Sequence, residues 1–145
     1  MKIIGVAGSP RREMSSRYLL DQCFNEVQDF SREKGVEIET EIIDLSGMQI
    51  NGCIACNKCK KGLQCSQEDD FGSLIRKLDS KELAGMVIST PVYMGSMTSQ
   101  VKAFLDRTVM FRRNGFKFSG IPGGVIAVGG SRNGGQELSC QAVHA

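Results

Sequence analysis

The chain has 145 residues, 41% hydrophobic and 23% charged, with 18 basic against 16 acidic side chains. That suffices for one core in a single domain spanning 1–145, and it excludes disordered, fibrous and low-complexity classes. A net charge of +2, with no basic stripe interleaved with aromatics, leaves no footprint for nucleic acid. The opening apolar run is too short to cross a bilayer and no secretory cleavage pattern follows it, so no membrane is expected and a cytoplasmic location is. In that reducing compartment six cysteines point to metal or redox chemistry rather than disulfides.

Residues 2–7 form a short apolar strand that ends in Gly8-Ser9-Pro10-Arg11. Ser15 and Ser16 then open a helix whose apolar positions, Leu19, Leu20, Cys23, Phe24, Val27 and Phe30, recur at helical spacing. A strand, a polar loop and a helix N-terminus make an anion site, because the first helical turn offers free N–H groups and the positive end of the dipole. Ser15 or Ser16 could equally serve as an ordinary N-cap. Neither G-x-G-x-x-G nor a P-loop lysine motif is present, which disfavours a dinucleotide or nucleoside triphosphate and leaves a phosphate monoester such as that of FMN.

After Lys34-Gly35, the run from Val36 to Leu45 alternates and then turns apolar, the pattern of a strand near a sheet edge. The loop 46–67 follows. It carries Cys53, Cys56, Cys59 and Cys65 at C-x2-C-x2-C-x5-C spacing, dense enough to be a ligand set. Soft thiolates suit an iron-sulfur cluster or structural zinc, and free redox-active thiols are the third reading. Lys58, Lys60 and Lys61 would favour thiolates or an anionic cluster, or simply form a solvated face. Cys23 and Cys140 read as small buried hydrophobes on helices.

Asp69 and Asp70 read as acids in the first turn of an amphipathic helix continuing through Phe71, Leu74, Ile75 and Leu78. Leu83–Thr90 reads as a central strand covered on both faces, stopping at Pro91. Pro91-Val92-Tyr93-Met94-Gly95-Ser96-Met97 then occupies the carboxyl end of that strand, where open α/β sheets bind ligands, and Tyr93 could lie against a flat ring or cap the core. The next helix presents Val101, Phe104, Leu105 and Val109 on one face, and an intrahelical ion pair accounts for Lys102, Asp106 and Arg107. Residues 110–122 read as loop. Gly123–Gly130 reads as another buried strand, opening into a glycine-rich loop from Ser131 and a final helix.

The order is that of a three-layer α/β, doubly wound parallel sheet, 2-1-3-4, with three ligand loops on one rim. The fifth strand and last helix of the 2-1-3-4-5 flavodoxin-like order are missing. The expectation is therefore a truncated chain, or a fourth strand covered by a partner chain in a homo-oligomer.

These segments together, Gly8–Arg11 with Ser15-Ser16, the cysteine loop closing on Asp69-Asp70, Thr90–Met97, Lys102–Arg107 and Gly129–Glu137, resemble the NADPH-dependent FMN reductase-like flavoproteins. The cysteine spacing is similar to that of the iron-sulfur flavoprotein branch. The resemblance implies a flavodoxin-like fold, FMN held by the three loops, dimers or tetramers, and a four-iron four-sulfur (4Fe-4S) cluster on the cysteines. By position, Ser9, Arg11, Ser15 and Ser16 would hold the FMN phosphate, Pro91, Val92, Tyr93, Met94, Gly95 and Ser96 would meet the isoalloxazine and ribityl chain, and Gly130 and Ser131 would close over the ring.

The expected function is FMN-dependent electron transfer to and from the cluster, with a ferredoxin-like protein, NAD(P)H or a quinone as the small donor or acceptor. The rivals are an NAD(P)H-dependent FMN or quinone reductase without a cluster, and a non-enzymatic redox or metal sensor. No side-chain acid, base or nucleophile is expected to be catalytic, and His144, the single histidine, stands near the chain end.

Overall fold

The computed structural model describes residues 1–144. Strand β1 (Lys2–Ala7) is followed by helix α1 (Ser15–Lys34), β2 (Glu39–Asp44), α2 (Phe71–Leu78), β3 (Leu83–Pro91), α3 (Ser99–Arg107), α4 (Val109–Arg113), β4 (Gly123–Val128) and α5 (Gln136–His144). The four strands form one parallel sheet in the order β2-β1-β3-β4. This is the flavodoxin-like arrangement expected.

β1 is central because its residues have somewhere to go on both faces. Ile4 and Val6 enter a large core with Phe71, Leu74, Val101, Phe104, Met110 and Phe111, while Ala7 and Ile3 face Leu20 and Phe24 of α1. At the β2 edge the outward acids Glu39 and Glu41 meet Lys2, at 3.0 and 2.6 Å. Gly35, at φ 62°, closes α1 by donating to Arg32 O, and Val36 N bonds Ser31 O.

Four expectations need correction. Leu19 and Phe30 are exposed, because the stripe that α1 buries runs through Leu20 and Phe24, and Leu19 lies about 100° around the axis from Leu20. β4 is only partly buried along its length: it is an edge strand, and a cavity of about 500 Å³ lined by Ile88, Phe104, Ile121, Val125 and Val143 opens beside it. Residues 109–113 are helical rather than loop. The buried side chains of Met110 and Phe111 draw the chain through one more turn after Thr108, and Phe111 then stacks on Phe118 at 4.7 Å. Finally, α2 starts at Phe71 with Asp70 at its N-cap, so both acids precede its first turn; Asp69 Oδ1 accepts from Phe71 N at 3.3 Å, whereas the Asp70 side chain makes no cap. Asp70 Oδ2 instead accepts from Gln49 N at 2.7 Å. Among the described residues, no helix is long and apolar enough to cross a membrane.

Candidate functional site

The loops that follow β1, β3 and β4 share one rim of the sheet. The first is held from three sides. Gly8 N donates to Ser89 O at 2.7 Å, Thr98 Oγ1 donates to Gly8 O at 2.7 Å, and Ser46 Oγ donates to Pro10 O at 3.0 Å. Gly8 must be glycine here, because a Cβ would overlap Val101 Cγ2 and come within 2.9 Å of Ser89 O. Within the loop, Arg11 N donates to Ser9 Oγ at 3.1 Å.

The helix end that this loop presents is uncapped. Met14 occupies the N-cap position of α1 and no side chain there accepts from the first turn, so neither Ser15 nor Ser16 is the capping residue. Ser16 is 2% exposed and its Oγ has no hydrogen-bond partner among the described residues. A buried, unpaired hydroxyl beside free helical N–H groups fits an anion such as a phosphate monoester.

The second rim loop is a two-residue turn in which Tyr93 N donates to Ser96 O at 2.8 Å and Ser96 N to Tyr93 O at 3.1 Å. Its central residues Met94 (φ 50°) and Gly95 (φ 77°) are both left-handed, as a type I′ turn requires. Met94 is fully exposed and Tyr93 is 43% exposed, so Tyr93 does not cap the core. The third loop touches the second through backbone, since a Cβ on Gly135 would overlap the Gly95 carbonyl. Gln136 folds back to fix it, accepting from Gly134 N at 2.8 Å and donating to Ser131 O at 2.7 Å. Ser9, Arg11, Ser15, Ser16, Pro91–Ser96, Gly130 and Ser131 thus all fall on this rim.

The cysteine loop leaves β2 on the same rim. Cys53 and Cys56 are exposed, Cys65 is half-buried and Cys59 is buried on a single 3-10 turn, Lys58–Lys61, whose lysines point to solvent. All four cysteines line one small cavity together with Arg107 and Arg113. As placed, no three His, Cys, Asp or Glu side chains among the described residues converge closely enough to hold a metal ion. The backbone between the first three cysteines is nevertheless shaped: Ala55 (φ 52°) and Asn57 (φ 65°) are left-handed on either side of Cys56. Alternating handedness of this kind turns successive N–H groups toward one concavity, as at many phosphate and iron-sulfur sites. The soft donor set and the shared cavity fit a cluster.

The frame of that loop is the part that sequence reasoning missed. Arg107 does not join an intrahelical pair; Lys102 and Asp106 make that pair without it. Arg107 is buried and clasps Asp69 with two parallel bonds, Nη1 to Oδ2 at 2.7 Å and Nη2 to Oδ1 at 3.0 Å. Nη1 also donates to Asn51 O at 2.9 Å, and Asp69 accepts from Asn51 N at 3.0 Å, so the pair anchors the entry of the loop. Burial opposes the charge on Arg107, but Asp69 and the neighbouring Cys65 sulfur outweigh it and hold its pKa above the ordinary value. Burial likewise opposes the charge on Asp69, and Arg107 with the Asn51 N–H holds its carboxyl below the usual range.

Arg113 Nη1 donates to Cys59 Sγ at 3.2 Å, and Asn114 Nδ2 donates to Cys59 O at 2.9 Å. Cys56 Sγ shares a 2.9 Å hydrogen bond with Ser66 Oγ, which, with the Lys58 N–H, lowers the thiol pKa. A sequence signal for Arg107 existed. It follows Val101 and Phe104 at helical spacing on the apolar stripe, where a cation must find a buried partner.

Fold and rim together define a doubly wound, flavodoxin-like α/β protein with an uncapped helix end on its rim. More narrowly, residues 1–145 match the family model of NADPH-dependent FMN reductase, and the chain belongs to that family. It is 40% identical over 144 residues to an iron-sulfur flavoprotein of Methanocaldococcus jannaschii, covering 99% of this chain and 70% of that one. It is 34% identical over 144 residues to an iron-sulfur flavoprotein of Methanosarcina thermophila, covering 99% and 71%. Among solved structures, the fold matches RosB with a bound 8-demethyl-8-formylriboflavin-5'-phosphate intermediate (TM-score 0.68, 19% identity, 99% of this chain) and the apo form of the NADH:FMN oxidoreductase EMOB (TM-score 0.63, 21% identity, 97% of this chain). The chain spans 57% and 64% of the length of those two proteins.

Proposed function

We propose that the chain is a single FMN-binding domain that transfers electrons between FMN on the rim and a 4Fe-4S cluster on Cys53, Cys56, Cys59 and Cys65. The observation that carries this reading is the gathering of four thiols around one cavity, in a chain 40% identical to a protein named an iron-sulfur flavoprotein. When bound, the two cofactors supply the electron-transfer chemistry, and the protein sets their position, burial and potential.

The residues divide this work. Ser9, Ser15, Ser16 and Arg11 bind the phosphate, with the uncapped turn of α1 supplying backbone donors and Ser16 Oγ gaining the partner it lacks. Pro91, Val92, Tyr93, Met94, Gly95 and Ser96 orient the ring and ribityl chain, the stiff turn at Met94-Gly95 fixing the path of the backbone. Gly130 and Ser131 cover the ring from the adjacent loop. The Asp69–Arg107 clasp holds the cysteine loop by Asn51, and Arg113 and Asn114 hold Cys59. In this reading the protein works in the cytoplasm as a homodimer or homotetramer and exchanges electrons with a small donor or acceptor, a ferredoxin-like protein, NAD(P)H or a quinone.

A second reading, an NAD(P)H-dependent flavin or quinone reductase without a cluster, is favoured by the family description. One experiment separates the two. Anaerobically purified protein is assayed for iron, acid-labile sulfide and FMN, and its flavin is titrated with NADPH and then dithionite. About four iron and four sulfide per chain, with flavin bleaching only on dithionite, is the expected result. FMN without iron after reconstitution, bleached by NADPH alone, replaces the first reading by the second.

A further inference from the structure

The guanidinium of Arg107 has five N–H donors, of which Nη1 and Nη2 are engaged by Asp69 and Asn51. Its Nε is buried and has no partner among the described residues. A native interior satisfies such donors, and an Arg whose fork is taken by a carboxylate has no rotamer left with which to turn Nε toward water. The space that Arg107 lines is the cavity of the four cysteines. Across that cavity Arg113, itself at the surface, already donates to Cys59 Sγ at 3.2 Å. Two cations from consecutive helices therefore line the cavity of the four sulfurs, and Arg113 is already on Cys59.

On the cluster reading above, we propose that Arg107 and Arg113 are positioning residues of the iron-sulfur centre, whose N–H groups donate to the sulfurs of Cys65 and Cys59 and thereby raise the potential of the cluster. Hydrogen bonds to the sulfurs and nearby positive charge favour the more reduced, more negative state, so they set the potential without touching iron. The clasp by Asp69 is what makes Arg107 suited to this. It neutralises the cation enough to be buried, fixes the guanidinium plane, and leaves Nε without a partner of its own.

The test uses anaerobically purified protein carrying both cofactors. Arg113→Gln removes an exposed cation, and Arg107→Lys keeps the ion pair with Asp69 while deleting Nε. Iron, sulfide and FMN are quantified, and cluster and flavin potentials are read separately in an EPR- and absorbance-monitored redox titration. The expected result is a lower cluster potential in each variant, about tenfold in the reduced-to-oxidised ratio at fixed potential, or ~59 mV for one electron, with the flavin potential and FMN content unchanged. Loss of iron from folded Arg113→Gln also supports the assignment, since it shows Cys59 losing its orientation. An intact cluster with an unmoved potential in Arg113→Gln and Arg107→Lys overturns it and leaves the cluster reading standing. Should Arg107→Lys not fold, Arg113→Gln decides alone. Wild-type protein that takes up no iron on reconstitution overturns the assignment and the cluster reading together.

Discussion

Asp69→Asn is the sharpest test of the frame that holds the cysteine loop. The carboxylate and the guanidinium of Arg107 are 5% and 1% exposed, so the substitution leaves a buried cation with half its partner. Breaking one side of a buried pair costs about 3–5 kcal/mol, and Asn, which keeps one carbonyl acceptor, belongs at the lower end. About 3 kcal/mol in a chain of this size lowers the melting temperature by roughly 10 °C.

The loss also has a pH signature. The folded carboxyl titrates below its unfolded value, so its contribution is complete above that unfolded value, about 3.9, and disappears as pH falls through the folded one. The gap between wild type and Asp69→Asn therefore shrinks by about 1.4 kcal/mol per pH unit below pH ~4, since other acids cancel in the difference. Urea unfolding of both proteins between pH 7 and pH 3 measures it. Equal stability at pH 7, or a gap that does not narrow on acidification, refutes the buried clasp.

Ser16→Ala separates binding from folding, because it deletes an unsatisfied hydroxyl. Ligand-free protein becomes more stable by about 1 kcal/mol while FMN binds roughly tenfold more weakly, read by thermal melts and by quenching of flavin fluorescence. Gly8→Ala forces a methyl group onto Val101 and the Ser89 carbonyl and costs about 1–3 kcal/mol, with a rise in the FMN dissociation constant as the phosphate loop shifts. Thr98→Val keeps shape but removes the cap on Val101 N and the donor to Gly8 O, leaving a buried carbonyl unpaired. About 2–3 kcal/mol is lost, which denaturant midpoints report.

The sheet was legible because its signals are local. An apolar run such as Leu83–Thr90 reads as a covered strand wherever it sits, and connections through helices fix parallel pairing. The rim was legible for a related reason, since a glycine, serines and an uncapped helix lie within one short segment of chain. What stayed hidden depends on partners distant in sequence. Arg107 sits 38 residues from Asp69, and the nearer Asp106 offered a plausible but mistaken mate. Gly123–Val128 has the composition of a buried strand, but whether an edge is covered is decided by what lies beside it, which a strand's own residues do not encode.

Backbone strain supplies an argument that composition could not. Among the described residues, six non-glycine positions have positive φ, and five of them, Glu13, Ala55, Asn57, Met94 and Asn133, lie in the loops that follow β1, β2, β3 and β4. Each costs about 1 kcal/mol or more, so the fold spends conformational energy on a single rim. Phe116 is the sixth and tests whether strain alone marks a site. It does not: Phe116 N bonds Arg112 O and its ring lies under the Arg112 guanidinium at 5.9 Å, which is a local ending for α4. At Glu13 the strained residue stands instead just ahead of free helical N–H groups, and at Ala55 and Asn57 it flanks Cys56, one of the four thiols on the cysteine cavity. Strain beside free N–H groups or a thiol, rather than strain by itself, distinguishes these loops, and a phosphate is a group that the free N–H groups of α1 would satisfy.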